Sequence, residues 1–293
     1  MGIILGLLSA LFWGTSDFLT RGLTRAIGTY RTLLYMQSIG LIGVSAFMLA
    51  TGELARVGST TLEGWALLVC LALINLFSSS SIYRALQTGV LAVVSPIAAS
   101  YSAITVILAA LSGETLTPVH LVGIIIIIVG GVLAALEQPP TPRAFWSREG
   151  LRGFRLPRGV GWALMASLGY GTFFWVLGVF VTPNFGGVFP VWFVRLFTPI
   201  LLVLVALLLR LDIRPPTGRL WLPMIGIGVM DTVAFIASTI GMTTEQVSIV
   251  TVLSALFSAV TVMLAWIFLR EPMRRIQWVG IGLIFVGIVL VSM

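Results

Sequence analysis

The feature that most constrains this chain is a stretch of about 45 residues that occurs twice, at 90–133 and at 247–290. A constant offset of 157 relates the two copies without a gap, through pairs that include Val90 and Val247, Val93 and Val250, Ala98 and Ala255, Glu114 and Glu271, and Gly130 and Gly287. The same offset carries Gly14 to Gly171 and Ser81 to Ser238. The repeated unit is therefore predicted to be half of the protein, and a repeat of this length decides the architecture.

Composition places the chain in a lipid bilayer. It is 58% hydrophobic and 9% charged, with a mean hydropathy of +1.10, which lies far outside the range of soluble proteins. The net charge of +7 comes from 17 arginines and no lysine. These arginines lie between apolar runs rather than in a basic patch, which excludes nucleic acid as a partner. Cys70 is the only cysteine, so neither a disulfide nor a cysteine metal cluster is expected, and no cofactor is predicted.

Ten apolar runs are long enough to cross a bilayer, which takes roughly 20 residues. They lie near 2–20, 30–50, 64–84, 90–111, 118–136, 160–181, 188–209, 220–240, 246–269 and 275–292. The first run has no positively charged start and is predicted to be a membrane helix rather than a cleaved signal peptide. The predicted organisation is one five-helix repeat at 1–136, an arginine-rich connection at 137–159 and a second repeat at 160–293.

The odd number of helices in each repeat fixes how the two repeats are related. After five crossings the second copy enters the membrane from the opposite side, so the fold class predicted is an all-α integral membrane protein whose ten transmembrane helices form two inverted repeats. Inverted repeats are typical of secondary transporters, which bind substrate near the bilayer midplane where the repeats meet.

Arginines in the short connections predict the orientation. Fifteen lie on the side of the odd-numbered connections, and Arg56 alone lies on the other side. Because cytoplasmic loops are enriched in Lys and Arg, both termini are predicted to be outside and the 137–159 connection to be cytoplasmic.

Two groups of residues resemble the sequence motifs of a known protein family. One is Gly113, Glu114, Leu116 and Thr117 with the later glycines Gly123, Gly130 and Gly131, repeated as Glu271, Pro272, Gly280 and Gly287; the other is Tyr83, Ala85 and Leu86. The chain resembles the ten-helix EamA-type branch of the drug/metabolite transporter superfamily, over nearly its whole length. Within it, the length and the aromatic-rich helices are similar to bacterial amino-acid exporters of the YddG type. The resemblance implies a multi-pass protein of the bacterial inner membrane that exports aromatic or neutral amino acids, and the distribution of arginines then predicts that both termini are periplasmic.

Side chains near the middle of each span are those that a substrate would meet. Ten are predicted to bind it: Trp13, Gln37, Asn75, Ser79, Tyr101, Tyr170, Arg195, Asp231, Ser254 and Ser258. The repeat pairs Trp13 with Tyr170, Asn75 with Thr232 and Tyr101 with Ser258. Core packing explains any one of the aromatic residues equally well, and Ser79 has the alternative of bonding its own helix backbone.

Charges inside the spans carry the most specific hypothesis. A mid-membrane carboxylate such as Asp231 is a functional candidate because it costs roughly 2.5–3.5 kcal/mol to insert. It either binds a substrate ammonium or a coupling proton, or it forms a structural ion pair with Arg195. Both hold if a zwitterion places its carboxylate at Arg195 and its ammonium at Asp231. Arg195 also has the alternative of extending to the interface, and Asp17 is predicted to pair with Arg21, one turn away.

Other positions are predicted to be structural. The middles of the fifth and tenth runs hold no polar group, so these helices are expected to be scaffold or a dimer surface, with their glycines allowing close helix packing. Glu114 and Glu271 are predicted to cap helix ends, and His120 to lie at the interface.

The function predicted is export of small metabolites by a secondary transporter through alternating access. Proton coupling and facilitated diffusion both stay open, as do a monomer and a homodimer. No phosphate-binding loop, paired-histidine metal helix or nucleophile elbow is present, which argues against an enzyme. Two alternatives are a nucleotide-sugar or sugar-phosphate translocator, which would need more basic residues in its cavity, and a membrane scaffold that does not transport.

Overall fold

The protein is described by a computed structural model over residues 1–52, 60–114, 117–135, 157–270 and 275–291. Within these ranges the helices are α1 (Gly2–Ile27), α2 (Thr29–Thr51), α3 (Leu62–Thr88), α4 (Leu91–Leu111), α5 (Pro118–Ala135), α6 (Val160–Phe185), α7 (Phe189–Leu209), α8 (Gly218–Thr244), α9 (Val247–Leu269) and α10 (Arg275–Val291). The predicted all-α membrane fold is confirmed. Most of the 137–159 connection, with Glu271 and Pro272, lies outside the described residues.

Eight of these helices are long and apolar enough to cross a membrane, and α5 and α10 contain shorter apolar stretches within the described residues. The helices also extend beyond the apolar runs. Helix α1 continues to Ile27 and ends where Gly28 adopts a φ of 86°, a conformation that glycine tolerates best. Helices α4 and α9 each break in mid-membrane, at Ser100 and Leu256.

The two repeats are inverted, as the crossing of α4 with α9 demonstrates. The first segment of α4, Leu91–Ala99, packs against the later segment of α9, Phe257–Leu264. Conversely, Tyr101–Leu111 packs against Val247–Ala255. Equivalent helices of the two repeats therefore run antiparallel. The other contacts obey the same symmetry, since α1 packs along α8 and α6 packs along α3.

Helices α5 and α10 pack against each other through glycines. A Cβ atom added at Gly130 would lie 2.7 Å from the carbonyl oxygen of Gly280, and one at Gly287 would lie 2.7 Å from that of Gly123. Because Cβ atoms do not approach backbone oxygen so closely, only glycine permits this separation. The two contacts are related by the repeat, so this pair forms a symmetric antiparallel unit.

The structure corrects the gapless offset of 157. Gly2 packs against Gly241 and Glu245, and its mate Gly159 packs against Ala85 and Gly89. The offset is thus 157 between α1 and α6 but 156 between α3 and α8.

The same correction applies to α4 and α9. The Thr105 hydroxyl donates to the carbonyl oxygen of Gly171 over 3.0 Å, and Thr261 donates to that of Gly14 over 3.1 Å. These threonines are 156 residues apart. A π-helical turn at Ala265–Leu269 follows in α9. A π turn accommodates one extra residue within a helix, so it explains why the offset returns to 157 at Gly123 and Gly280.

The two faces of the protein differ in charge. One face holds the connections between α1 and α2, α3 and α4, and α7 and α8, and we call it the arginine-rich face. Its described arginines are Arg21, Arg25, Arg31, Arg84, Arg158, Arg210, Arg214, Arg219, Arg270 and Arg275. The start of α1 and the end of α10 lie at the opposite face. Which face is cytoplasmic stays a prediction.

Candidate functional site

A cavity opens in the middle of the bundle where the two repeats meet. Its volume, counted as the space that the centre of a water molecule can occupy, is about 60 Å³. Among the described residues its wall comes from α1, α2, α3, α4, α6, α7, α8 and α9, and no residue of α5 or α10 contributes to it. The scaffold position predicted for α5 and α10 therefore agrees with the geometry.

Eight of the ten predicted binding residues line this one cavity: Trp13, Gln37, Asn75, Ser79, Tyr101, Tyr170, Arg195 and Asp231. Ser254 and Ser258 do not line it. The Ser258 hydroxyl donates to the carbonyl oxygen of Ala255 over 3.3 Å, and the buried Ser254 hydroxyl has no hydrogen-bond partner in the described structure. The offset of 156 makes Phe257, rather than Ser258, the mate of Tyr101, and Phe257 does line the cavity.

Arg195 is the centre of a buried polar cluster. One of its terminal nitrogens donates to a carboxylate oxygen of Asp231. The other donates to Gln37 Oε1 at 2.5 Å and to Met36 Sδ at 3.0 Å. The residue is only 1% exposed, so the alternative in which it extends to the interface is wrong. The structural ion pair predicted for Arg195 and Asp231 is present.

Neighbouring residues leave room for the Arg195 side chain. A Cβ atom at Gly40 would lie 3.0 Å from its Nε, so the glycine in α2 allows the guanidinium stem to pass. The guanidinium carbon lies 5.7 Å from the centre of the Phe235 ring, which stabilises a buried cation through the ring electrons. The corrected offset makes Asp231 the mate of Asn75, so the two repeats place polar groups at the same depth.

Asp17 differs from its prediction. Within the described parts of the chain, its carboxylate makes no ion pair or hydrogen bond, with Arg21 or with any other residue. Instead it lines the cavity and remains partly exposed to it. The predicted pair with Arg21 is therefore wrong. Spacing along one helix permits such a pair but does not decide which way the carboxylate faces.

Aromatic rings form most of the remaining wall. Tyr101 stacks between Phe174 and Phe257, with ring centres 5.0 Å and 6.4 Å away. Trp13 meets Phe174 edge to face at 5.7 Å, and Phe173 meets Phe235 at 5.6 Å. The four phenylalanines were missed in the sequence, where they were indistinguishable from residues that face lipid. The signal available was the repeat, which makes Phe174 the mate of Asp17.

Hydroxyl groups complete the lining. Ser79 and Tyr170 share a hydrogen bond of 3.1 Å, and Ser79 donates to Asn75 Oδ1 over 3.4 Å. Tyr101 is 3% exposed, and its hydroxyl has no hydrogen-bond partner among the described groups. A buried polar group without a partner is costly, so Tyr101 offers a hydrogen bond that a ligand in the cavity can take.

The described residues contain no group of three or more His, Cys, Asp or Glu side chains that could hold a metal ion. The charged residues of the lining are Asp17, Arg195 and Asp231. The single guanidinium is already paired, so the wall offers little to a doubly negative sugar phosphate.

Comparison with known proteins agrees with this architecture. Residues 1–136 and 157–293 match the EamA-like transporter family. A solved structure, titled only as the crystal structure of a protein, covers 99% of this chain and 95% of its own length, with a TM-score of 0.70 and 21% sequence identity. Identity this low shows the fold alone. No curated protein sequence matches the chain significantly.

Proposed function

Because this chain belongs to the EamA-like transporter family, a family of membrane transporters, we propose that it is a secondary transporter for small metabolites that carry an amino group on an aromatic or apolar body. This class includes the aromatic and neutral amino acids. We propose further that it exports them across a bacterial inner membrane, with both termini in the periplasm. The excess of arginine on one face supports that orientation.

The observation that carries the proposal is the cavity between the inverted repeats. It combines an aromatic wall with carboxylates, so it suits a ligand with an apolar body and a cationic group. A site between two inverted halves is also where a rocking motion changes access from one side of the membrane to the other.

Flux through reconstituted protein tests this function. Proteoliposomes loaded with unlabelled phenylalanine or phenethylamine are expected to exchange at least one of these compounds for its labelled form faster than empty liposomes do. Rates equal to those of empty liposomes for every aromatic and neutral amino acid and for phenethylamine would overturn the proposal and favour a scaffold that does not transport.

Alternating access requires that each end of the cavity close in turn, and hydrogen bonds join helix ends at the arginine-rich face. Arg25 of α1 donates to the carbonyl oxygens of Gln87 and Gly89, over 3.2 Å and 2.9 Å. The Gln87 amide donates to the carbonyl oxygen of Thr24 over 2.9 Å, and Thr29 donates to Gln87 Oε1 over 3.2 Å. These bonds join the end of α1 and the start of α2 to the end of α3.

Among the described residues, the equivalent positions at the opposite end make no such bridge. Pro183 and Thr243 are the mates of Arg25 and Gln87, by offsets of 158 and 156, because a π-helical turn at Val176–Val181 adds one residue to α6. Pro183 has no side-chain donor, and the Thr243 hydroxyl donates within its own helix, to the carbonyl oxygen of Ile240 over 2.8 Å. The repeats are therefore alike in backbone but unequal in what closes their ends. This inequality supports a state in which the arginine-rich end is closed.

Replacing both Arg25 and Gln87 by alanine is expected to open that end more often. Hydrogen bonds to a charged group contribute about 1.5–3 kcal/mol each, so a tenfold or larger rise in opening is expected. The measurement is labelling of a Ser79→Cys variant, in a Cys70→Ser background, by a membrane-impermeant maleimide added at the arginine-rich face.

Arg31→Ala is the matched control for this experiment. Arg31 also binds carbonyl oxygens at the same face, those of Arg214 and Pro215, but it joins α2 to the connection before α8. Its replacement is expected to leave the labelling rate unchanged. Equal labelling of the double variant and the parent would show that these bonds do not close the cavity.

A further inference from the structure

Asp17 and Asp231 lie at different depths in the cavity. Helices α1 and α8 run antiparallel, with the Ser9 hydroxyl donating to the carbonyl oxygen of Ala234 over 2.9 Å and Gly2 packed on Gly241. This register places Asp231 level with residue 12 of α1. Asp17 is five residues further along, so it lies about 7.5 Å closer to the arginine-rich face.

The two carboxylates also differ in their partners. Asp231 is bound by Arg195, so their charges cancel. Three of the five N–H groups of Arg195 bind Asp231, Gln37 and Met36, and its Nε is buried without a hydrogen-bond partner among the described groups. Asp17 is left as the one charged group of the described lining without an opposite charge beside it. An unpaired carboxylate in an apolar site is costly, and a bound cation relieves that cost.

We infer that Asp17 is the cation-binding carboxylate of the cavity, and that the preferred ligands are small amines with one net positive charge and an aromatic or apolar body. The inference rests on the proposed function and narrows it. The paired state of Arg195 gives a reason to prefer such an amine to a zwitterion. A zwitterion brings a carboxylate, and the only guanidinium of the described lining already binds Asp231 and Gln37.

Aromatic side chains and the tyrosine hydroxyl complete the match to an amine. Trp13 is one turn before Asp17 on α1, and both line the cavity. Tyr101 and Phe174 stack on each other in the same cavity wall, and aromatic faces attract cations and apolar rings alike. The unpartnered Tyr101 hydroxyl supplies an acceptor for a second ammonium proton. A cation thus finds one full negative charge and a polarisable wall.

Three compounds with the same phenyl ring separate the possibilities: phenethylamine is a cation, phenylalanine a zwitterion and 3-phenylpropionate an anion. Calorimetry on the purified full chain is expected to give binding that is at least tenfold tighter for phenethylamine than for phenylalanine, with the anion weakest. Asp17→Asn keeps the size of the side chain and removes its charge. It is expected to weaken phenethylamine binding at least tenfold, while Asp17→Glu retains part of it.

Asp212→Asn is the control, because Asp212 is an exposed carboxylate outside the cavity. Equal phenethylamine affinity in the wild type and Asp17→Asn would overturn the inference, as would a wild-type preference for phenylalanine. Flux measured in parallel keeps the two proposals apart. Amine binding that depends on Asp17 without flux would leave the inference standing and remove the transport function. Flux that is equal in the wild type and Asp17→Asn would support the transport function and remove the inference about Asp17.

Discussion

Arg195→Met is expected to lower the melting temperature of the purified protein more than any other single substitution in the cavity wall. Removing the guanidinium leaves the Asp231 carboxylate without its partner and Gln37 Oε1 without its donor. Loss of one partner of a buried ion pair costs about 3–5 kcal/mol. The same change also removes the contact of the cation with the Phe235 ring. A thermal melt monitored by tryptophan fluorescence measures the loss.

A double variant separates the structural role of this pair from its role in transport. Arg195→Met combined with Asp231→Asn leaves no charge unpaired, so it is expected to recover most of the lost stability. Flux is expected to stay low, because the polar cluster at that depth is still altered. The exposed Asp212→Asn change is the control, since surface ion pairs contribute about 0–1 kcal/mol.

Two outcomes would contradict this account. A melting temperature unchanged in Arg195→Met would mean that the pair does not stabilise the cavity wall. Wild-type flux in both Asp231→Asn and Arg195→Gln would mean that neither charge takes part in transport.

Much of the fold is predictable from this sequence because the bilayer imposes simple constraints. A crossing needs a run of about 20 apolar residues, and such runs are visible without any structure. Five crossings in each repeat then force the second copy to be inverted. The polar residues at the middle of the spans follow, which is why Arg195, Asp231 and Tyr170 could be identified.

The exact register between the two repeats could not be predicted from the sequence, for a physical reason. The π turn at Ala265–Leu269 inserts one residue without interrupting the helix or its apolar character. An alignment anchored on Gly123 and Gly280 therefore carries an error of one residue back into α9. One residue rotates a side chain by about 100° around the helix, so the alignment paired Tyr101 with Ser258 instead of Phe257.

The sequence also did not show in which direction individual side chains point. Asp17 has a suitable partner four residues away, and local spacing alone predicts an ion pair. Its surroundings are set by the helices packed against α1, which the spacing does not report. Phe173 and Phe235 were missed for the same reason, since an apolar residue in a span faces lipid, core or cavity according to its neighbours.

The glycine contacts between α5 and α10 give a second large effect, remote from the cavity. Gly130→Leu is expected to lower the yield and melting temperature of the protein sharply. Its Cβ would lie 2.7 Å from the Gly280 carbonyl oxygen and 2.8 Å from the Ile284 backbone nitrogen. Neither backbone atom can move unless the helices separate. Overpacking typically costs 1–3 kcal/mol, and loss of the surrounding helix contacts adds to it. Gly287→Leu is expected to behave alike, because its neighbour Gly123 is related by the repeat.

Gly282→Leu is the matched control, because Gly282 lies on α10 with no heavy atom within 4 Å of an added Cβ. It is expected to leave yield and melting temperature close to those of the parent, and an equal loss in both variants would mean that the close helix approach is not the cause. The milder Gly130→Ala then separates scaffold from site. Since no described residue of α5 or α10 lines the cavity, this variant should melt earlier while its affinity for phenethylamine, measured well below the melting temperature, stays at the parent value.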